Sequence, residues 1–273
     1  MYRCPLCQHP LEQDGQQWRC DLGHSFDIAK QGYVNLLPVQ NKRSKSPGDN
    51  ADMMRARRDF LNAGFYQPLS DQLNQLFMDH LGTIPTPQIL DLGCGEGYYS
   101  ARLQAALRQQ TASQVWGLDI SKDAIRYAAK RDKHIQFCVA SAYDLPFPDQ
   151  SFDGLMRIYA PSLASEIFRV TRPGGWLITV QPAANHLIQL KQAIYSQPLA
   201  HDETPESVQG FALINQHKLS YDMTLDTETD RLNLLNMTPF GWKLNPEQKQ
   251  NLSQSLVKVK ADFLINVQQK TNN

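Results

Sequence analysis

From residue 89 onward, short apolar runs alternate along the chain with segments of helical periodicity. The first run, residues 89–92, leads at once into the glycine-rich residues 93–97 and then into an amphipathic pattern through Leu103 and Leu107. Such alternation is typical of parallel strands connected by helices that cover the faces of a sheet. The pattern therefore predicts a Rossmann-like α/β domain.

Further segments complete the predicted sheet and divide the chain. Strands are expected at 115–118, 152–158, 176–180, 211–225 and 257–267, with a helix at 227–236. The fold we expect is α/β, a Rossmann-like seven-stranded domain preceded by a small amino-terminal module. The predicted domains are residues 1–37 (a cysteine-containing module, for which a zinc site is argued below from its ligand spacing), 38–70 (basic linker and helix) and 71–273 (the α/β domain).

The glycine-rich turn predicts a nucleoside site. Gly93, Gly95 and Gly97 follow the first strand directly, where open α/β sheets bind ligands at the carboxyl ends of their strands. Asp119 ends the second strand, 26 residues after Gly93. A carboxylate in that position suits a pair of ribose hydroxyls.

Two acids bracket the same turn and distinguish the type of cofactor. Asp91 precedes the first glycine and Glu96 lies between the second and third. A dinucleotide fold has Gly-x-Gly-x-x-Gly there, with a pyrophosphate that carboxylates would repel. A cofactor with a cationic amino-acid end is attracted instead. The pattern favours S-adenosylmethionine over NAD.

Three of the five cysteines fall within the first 20 residues. Cys4 and Cys7 form a knuckle with two intervening residues, and Cys20 is followed by His24. Three thiolates and one imidazole make a closed tetrahedral shell, which indicates structural rather than catalytic zinc. A redox pair would sit at a strand-to-helix turn, which is not visible here. His9 is a competing fourth ligand, but it provides no second knuckle.

The linker carries a local excess of positive charge. Six basic residues and two acids lie between positions 42 and 58. This suits a phosphate backbone, although a solvated loop and an ordinary charged helix face would have the same composition. The candidate RNA contacts are Lys42, Arg43, Arg57 and Arg58.

The predicted strand at 152–158 ends in a turn that combines polar, aromatic and proline residues. Arg157, Tyr159 and Pro161 belong to this turn, and Tyr159 can stack on a nucleobase. Tyr159 is alternatively a core residue. Arg157 needs a salt bridge or a substrate contact, because an unpaired arginine in a core strand is costly.

Composition sets the remaining limits. Hydrophobic residues make up 41% of the chain, and 27 basic residues balance 27 acids, so a polyanion partner must be met by a local patch. No apolar run approaches the roughly 20 residues of a membrane helix, and the amino terminus lacks the apolar segment of a secretion signal. We therefore expect a cytoplasmic protein with no membrane contact.

The motifs together resemble the class I S-adenosylmethionine-dependent methyltransferases. The string Ile-Leu-Asp-Leu-Gly-Cys-Gly-Glu-Gly, residues 89–97, is similar to their first motif, and Asp119 matches their ribose-binding acid. Residues 141–147 resemble their adenine-binding turn, which implies that Ser141 and Ala142 contact the cofactor. Many members have Asp where this chain has Ser141. Residues 172–175 resemble the turn before the fifth strand.

Almost the whole chain resembles one family, the RlmA rRNA guanine-N1 methyltransferases. The cysteine module, residues 32–38, 47–49 and 237–242 and the methyltransferase motifs carry the resemblance. It implies methylation at N1 of a hairpin-loop guanine in domain II of 23S rRNA. It also implies a homodimer with an RNA cleft between zinc module and core. The residues that it implies near the cofactor are Tyr66, Gly95, Glu96, Asp119 and His186.

The acceptor of the guanine N1 proton is not identified by the sequence. Asp49 and Tyr159 are candidates, and water is an alternative. Two other functions compete with rRNA methylation: a small-molecule methyltransferase of the quinone-biosynthesis type, and a zinc-bearing RNA-binding protein without catalysis. The zinc module and basic segment argue against a small acceptor, and the intact cofactor motif argues against the loss of catalysis.

Overall fold

The computed structural model describes residues 1–38 and 51–271. The predictions made for Lys42, Arg43 and Asp49 lie outside these ranges. Among the described helices, none is both long and apolar enough to cross a bilayer.

The amino-terminal module is a small antiparallel sheet of four strands in sequential order. A left-handed Gly15, with φ of 58°, allows the two-residue turn between the second and third strands. The four strands are β1 (Tyr2–Arg3), β2 (Pro10–Asp14), β3 (Gln17–Arg19) and β4 (Ser25–Asp27).

The main body is an eight-stranded mixed sheet with helices on its faces. Its strands are β5 (Val34–Asn35), β6 (Gln88–Leu92), β7 (Gln114–Asp119), β8 (Gln136–Val139), β9 (Phe152–Ile158), β10 (Thr171–Pro182), β11 (Phe211–Thr224) and β12 (Lys258–Lys270). The helices are α1 (Ala51–Asn62), α2 (Gln67–Leu81), α3 (Tyr98–Leu107), α4 (Lys122–Arg131), α5 (Ala164–Val170), α6 (Ile188–Ile194), α7 (Glu228–Met237) and α8 (Pro246–Ser255), and a 3-10 helix spans Pro239–Trp242.

Strand order in this sheet is β11-β12-β10-β9-β6-β7-β8-β5. Strands β10, β9, β6, β7 and β8 are parallel, and helices cover them on both faces, which explains their continuous apolar runs. Strand β12 runs antiparallel to both β10 and β11. The predicted α/β class is confirmed, and seven strands of this sheet, β6 to β12, lie within residues 71–273.

An eighth strand, which the sequence did not predict, extends the sheet. Val34 pairs with Cys138 and Asn35 with Val139, so β5 lies parallel to β8 at the sheet edge. A strand of two residues has no periodicity to detect. Residues near the end of the predicted zinc module are thus part of the main sheet.

Local capping explains where two helices begin. Ser121 accepts a hydrogen bond from the Ala124 amide at the start of α4. Thr227 and Asp230 form a reciprocal capping box at the start of α7. These short polar patterns locate helix starts independently of the core.

The zinc module shares a hydrophobic core with one face of the main sheet. The buried Tyr2 ring lies 5.0 Å from Trp18, 5.4 Å from Trp116 and 5.5 Å from Phe147, measured between ring centroids. The Arg3 amide donates to the Pro146 carbonyl at 2.9 Å. Aromatic packing therefore attaches the module to the main body.

Replacing the Tyr2 ring should weaken this attachment. We expect Tyr2→Ala to lower the free energy of unfolding by about 3–5 kcal/mol, because truncation of a buried aromatic side chain leaves a cavity. Tyr2→Phe keeps the ring, so it should lower the free energy of unfolding by less than half as much as Tyr2→Ala does. Denaturant titration of the two variants measures the difference, and equal losses would contradict a packing role for the ring.

Candidate active site

The parallel register brings four strand ends to one edge of the sheet. Leu92 is level with Leu118 on one side and with Arg157 on the other. Asp119 is level with Val139 on the next strand. The loops that follow β6, β7, β8 and β9 therefore meet, as expected for a ligand site in an open α/β sheet.

The turn after β6 is held against β7 by its own backbone. The amides of Gly93 and Cys94 both donate to the Leu118 carbonyl at 2.9 Å, and the Gly97 amide donates to the Cys94 carbonyl at 3.0 Å. These bonds allow α3 to begin at Tyr98. The turn is consequently a defined structure before any ligand is considered.

The three glycines serve different purposes in this turn. Their φ values, 72° at Gly93, 55° at Gly95 and 80° at Gly97, lie in the left-handed region. A Cβ at Gly93 would lie 2.4 Å from the Cβ of Ala160, which excludes a side chain there. Among residues 1–38 and 51–271, a Cβ at Gly95 would meet only the Met54 Cε, at 3.8 Å. Gly95 therefore leaves open space beside the turn.

Asp119 is oriented by two backbone donors. Its Oδ2 accepts from the Gly95 amide at 3.0 Å and its Oδ1 accepts from the Ser121 amide at 2.8 Å. Hydrogen bonds to a carboxylate stabilise its charged form. The carboxylate lies next to the glycine turn, where it can hold ribose hydroxyls.

The two acids that bracket the turn are buried. Asp91 accepts from the Ser100 hydroxyl at 2.5 Å, and burial raises its pKa to about 7. Glu96 is ion-paired with Arg131, yet burial dominates and raises its pKa. Its Oε1 has no hydrogen-bond partner among the residues the structure describes. This Glu96 oxygen is therefore available to accept a hydrogen bond from a cationic or hydroxyl-bearing ligand.

This arrangement fits S-adenosylmethionine. The open space at Gly95 admits a ligand close to the backbone, and Asp119 offers acceptors for the ribose. The carboxyl groups of Asp91 and Glu96 give the turn a negative electrostatic potential. This potential would repel a pyrophosphate and attract the cationic methionine end of the cofactor. When bound, the cofactor supplies an activated methyl group.

The predicted adenine turn lies beside Asp119. The Ala140 amide donates to the Asp119 carbonyl at 3.1 Å, which places the loop after β8 against the predicted ribose-binding acid. The Ser141 Oγ accepts from the Tyr143 amide at 3.2 Å, so its hydroxyl retains a proton to donate. The Ala142 carbonyl accepts from the Leu163 amide at 3.3 Å. Adenine binding by Ser141 and Ala142 stays a prediction.

An aromatic cluster joins residues that are distant in sequence. The His186 ring lies 6.2 Å from Tyr66, 6.1 Å from Tyr159 and 4.8 Å from Phe263. Its Nδ1 accepts from the Asp262 amide at 3.2 Å, which assigns the ring proton to Nε2. Burial, with smaller effects of His201 and Lys191, lowers the His186 pKa to about 4. His186 is thus a neutral donor near physiological pH.

A pocket of about 370 Å³ opens at the ends of β9 and β10. Tyr159, at φ of 54°, is 47% exposed and forms part of its wall. Arg157 is buried, donates to the Ser162 hydroxyl at 2.8 Å and is ion-paired with Glu206. The sequence left a salt bridge and a substrate contact as alternatives for Arg157, and the structure shows the salt bridge.

Sequence reasoning missed Glu206. This residue belongs to an irregular segment between α6 and β11, and neither spacing nor a motif marks it there. Its importance follows only from its contact with Arg157, 49 residues away in the chain.

Two of the predicted RNA contacts, Arg57 and Arg58, lie within the described residues and contact the rest of the protein. Arg57 donates to the Met237 carbonyl at 3.4 Å. Arg58 pairs with Asp59 at 2.7 Å and lies 5.4 Å from the Tyr127 ring centroid. Their positive charge lies near Glu96, whose pKa it lowers in opposition to burial. RNA contact by Arg57 and Arg58 stays a prediction.

The zinc module brings its four predicted ligands together. The Cys4 Sγ and Cys20 Sγ lie 3.5 and 3.4 Å from the His24 Nδ1, and the Cys7 Sγ lies 3.7 Å from the Cys20 Sγ. A tetrahedral zinc with Zn–S bonds of about 2.3 Å has ligand atoms separated by roughly 3.8 Å, so the spacing fits. His9 instead contacts Asp21 at 2.7 Å. Cys4, Cys7, Cys20 and His24 form the structural zinc site.

Comparisons with known proteins cover nearly the whole chain. A family model described as "RlmA, N-terminal" matches residues 2–45, and one described as "Methyltransferase domain" matches residues 86–251. The 23S rRNA (guanine(748)-N(1))-methyltransferase of Streptomyces fradiae is 33% identical over 252 residues, covering 90% of this chain and 87% of that protein. YxjB of Bacillus subtilis (strain 168), named a putative 23S rRNA (guanine-N(1)-)-methyltransferase, is 32% identical over 277 residues, covering 97% and 96%.

A solved structure agrees at the level of the fold. That of the MccD protein superposes with a TM-score of 0.50 at 17% identity, covering 75% of this chain and 98% of the other. The fold and the acid-flanked glycine turn define a class I S-adenosylmethionine-dependent methyltransferase. Within that class, the chain belongs to the RlmA family of 23S rRNA (guanine-N1)-methyltransferases.

Metal removal should destabilise the protein. A four-stranded module with strands of two to five residues buries little apolar surface, so zinc ligation supplies much of its folding energy. We expect one zinc per chain by atomic emission, and a lower melting temperature after chelation or in Cys20→Ser. Cys138→Ser, outside the cluster, should keep the full zinc content. Equal zinc content in both variants would contradict the ligand assignment.

His186 predicts a pH dependence of stability. Its folded pKa of about 4 lies below the usual 6.5, so between these values the unfolded chain binds a proton that the folded chain does not. Stability from this group is present above pH 6.5 and is lost as the pH falls toward 4. Between pH 7 and pH 4.5 we expect the unfolding free energy of His186→Asn to fall by about 2 kcal/mol less than that of the parent protein. Denaturant titrations at pH 7 and 4.5 measure it, and parallel losses would contradict it.

Proposed function

We propose that this protein transfers the methyl group of S-adenosylmethionine to N1 of a guanine in a hairpin loop of domain II of 23S rRNA. The names of the relatives from Streptomyces fradiae and Bacillus subtilis, which match along nearly their full lengths, support this reaction. The observation that carries it is the zinc module, which matches the RlmA model and shares a core with the catalytic body.

The geometry supports methyl transfer by positioning. Ala160 forms part of the pocket wall and also lies directly against Gly93 of the cofactor turn. A base in the pocket would therefore be next to the cofactor, which in-line transfer requires. Tyr143 and Tyr159 expose about half of their surface along this pocket. Stacking on such rings stabilises an unpaired base by about 1–3 kcal/mol.

We expect the RNA to contact a larger surface of the protein than this pocket. We place the hairpin between the zinc module and the catalytic body, with Lys42, Arg43, Arg57 and Arg58 on the phosphate backbone. A homodimer in the cytoplasm is the form in which we expect it to act. A protein with balanced charge needs such local basic contacts, because it has no global positive field.

Other functions are less well supported. A small-molecule methyltransferase has no evident use for a zinc module whose core is continuous with that of the enzyme. A non-catalytic RNA-binding protein would have no use for a turn of three left-handed glycines beside a carboxylate that is held by two backbone amides.

Labelled methyl transfer to 23S rRNA from a strain lacking this gene tests the proposal. We expect one primer-extension arrest at a domain II hairpin guanine, because methylation at N1 blocks base pairing. Asp119→Ala should weaken cofactor affinity about 10- to 100-fold, since a hydrogen bond to a charged group contributes about 1.5–3 kcal/mol. Isothermal titration calorimetry measures that affinity.

Asp123→Ala is the matched control. Asp123 is a neighbouring carboxylate on α4, paired with Arg126 at 3.1 Å on the surface, and its loss should leave labelling and cofactor affinity unchanged. Cofactor binding without any labelling of rRNA would reject the proposed substrate and favour a small acceptor. Absence of cofactor binding would favour the non-catalytic alternative.

A further inference from the structure

Methylation at N1 requires that guanine lose the proton on that nitrogen. We propose, on the basis of the proposed function, that the Glu206 carboxylate, oriented by Arg157, accepts this proton. Glu206 lines the pocket at the ends of β9 and β10 together with Tyr143 and Tyr159. Three observations carry the assignment: the anchoring of its segment, its hydrogen bonds and its position relative to the cofactor turn.

The segment that carries Glu206 is irregular but anchored. The Gln181 side chain donates to the carbonyls of Asp202 and Thr204 at 3.3 and 3.1 Å. Glu203 accepts from the Ala184 amide at 2.9 Å. Val208, two residues after Glu206, is buried in the core. Contacts on both sides therefore hold Glu206 over the carboxyl end of the sheet.

Hydrogen bonding leaves one oxygen of Glu206 available. Its Oε2 is ion-paired with the buried Arg157 guanidinium, which is also fixed by Ser162 at 2.8 Å. Its Oε1 accepts no hydrogen bond from the protein within residues 1–38 and 51–271. The side chain is half exposed toward the pocket. An oriented carboxylate with a free oxygen is suited to receive a proton from a bound base.

The Arg157–Glu206 pair complements the pairing edge of guanine. That edge presents N1–H and N2–H donors beside the O6 acceptor. A carboxylate accepts from such donors, and a guanidinium can donate to the oxygen next to them. Adenine has an acceptor at N1, which would face the carboxylate unfavourably. The pair therefore favours guanine at the place where its N1 proton must leave.

Position relative to the cofactor turn makes the transfer feasible. Arg157 is level with Leu92, the residue that precedes Gly93, and Ala160 of the same loop packs on Gly93. As the bond from N1 to the methyl carbon forms, the methyl–sulfur bond breaks and its electron pair stays on sulfur. The N1 proton becomes acidic as this nitrogen gains positive charge, and it passes to the Glu206 carboxylate. A weak base is sufficient for such a proton.

Tyr159 is less suited to this role. Burial of its hydroxyl, with smaller effects of Tyr66 and Tyr99, raises the pKa of Tyr159 well above the usual value. A neutral phenol of this kind does not take up a proton near pH 7. Its exposed ring is available for stacking instead. Asp49, the other candidate, lies outside the described residues.

Glu206→Gln tests the assignment, because it keeps the size of the side chain and removes the base. We expect the single-turnover rate on 23S rRNA to fall about 10²- to 10⁴-fold at pH 7. Affinities for cofactor and RNA should change less than about threefold. Asp222→Asn is the matched control: it neutralises an exposed carboxylate on β11 that is paired with Lys260 at 3.4 Å outside the pocket, and it should keep the parent rate.

The pH profile distinguishes a proton acceptor from a structural residue. As the pH rises toward the pKa of guanine N1, the base deprotonates in solution, so the rate of Glu206→Gln should increase by about tenfold per pH unit. The parent protein should show no such increase. Glu206→Asp retains a carboxylate and should react faster than Glu206→Gln at pH 7 with the profile of the parent.

Each outcome separates this inference from the proposed function. An inactive parent protein rejects the function itself. An active parent with an equally active Glu206→Gln overturns the role of Glu206 and leaves the function standing. A slow Glu206→Gln whose rate follows the same pH profile as the parent also overturns it, because the residue would then act only on structure.

Discussion

The site depends on the parallel register of the central strands. Leu92, Leu118 and Arg157 are level with one another, and Asp119 with Val139, so four loops converge at one edge. Hydrogen bonds across the sheet set this alignment, and a shift by one residue would turn every side chain to the other face. This alignment fixes the relative positions of the glycine turn, the Asp119 carboxylate and the pocket at the ends of β9 and β10.

Charge gives this shared edge its chemical character. Asp91 and Glu96 are buried beside the turn, where burial raises their pKa, while Asp119 is held by two backbone amides. A cationic cofactor offsets the cost of placing carboxylates in a poorly solvated site. On the acceptor side, Arg157 and Glu206 neutralise each other and present both a donor and an acceptor. The cofactor side of the site is therefore acidic, which suits a cationic cofactor, whereas the charges of Arg157 and Glu206 balance on the other side, which suits an uncharged ligand.

The zinc module is coupled to the catalytic body by packing as well as by the chain. Tyr2 lies against Trp116 and Phe147 of the body, and the ligands Cys4 and Cys20 belong to the same hydrophobic core. Its short strands could not form an independent core, so metal ligation and this contact stabilise it together. Any RNA surface on the module is consequently fixed relative to the methyl-transfer pocket.

Sequence alone determined the features that repeat at fixed spacing. The zinc ligands, the strand before Gly93, the acid at Asp119 and the α/β order are local patterns, and each agrees with the structure. Tertiary structure alone decided which distant residues meet: β5 with β8, His186 with Tyr66, and Arg157 with Glu206. These contacts arise from a two-residue strand, loop residues and an irregular segment. Such stretches lack periodicity, so their partners are selected by the folded core rather than by any pattern in the chain.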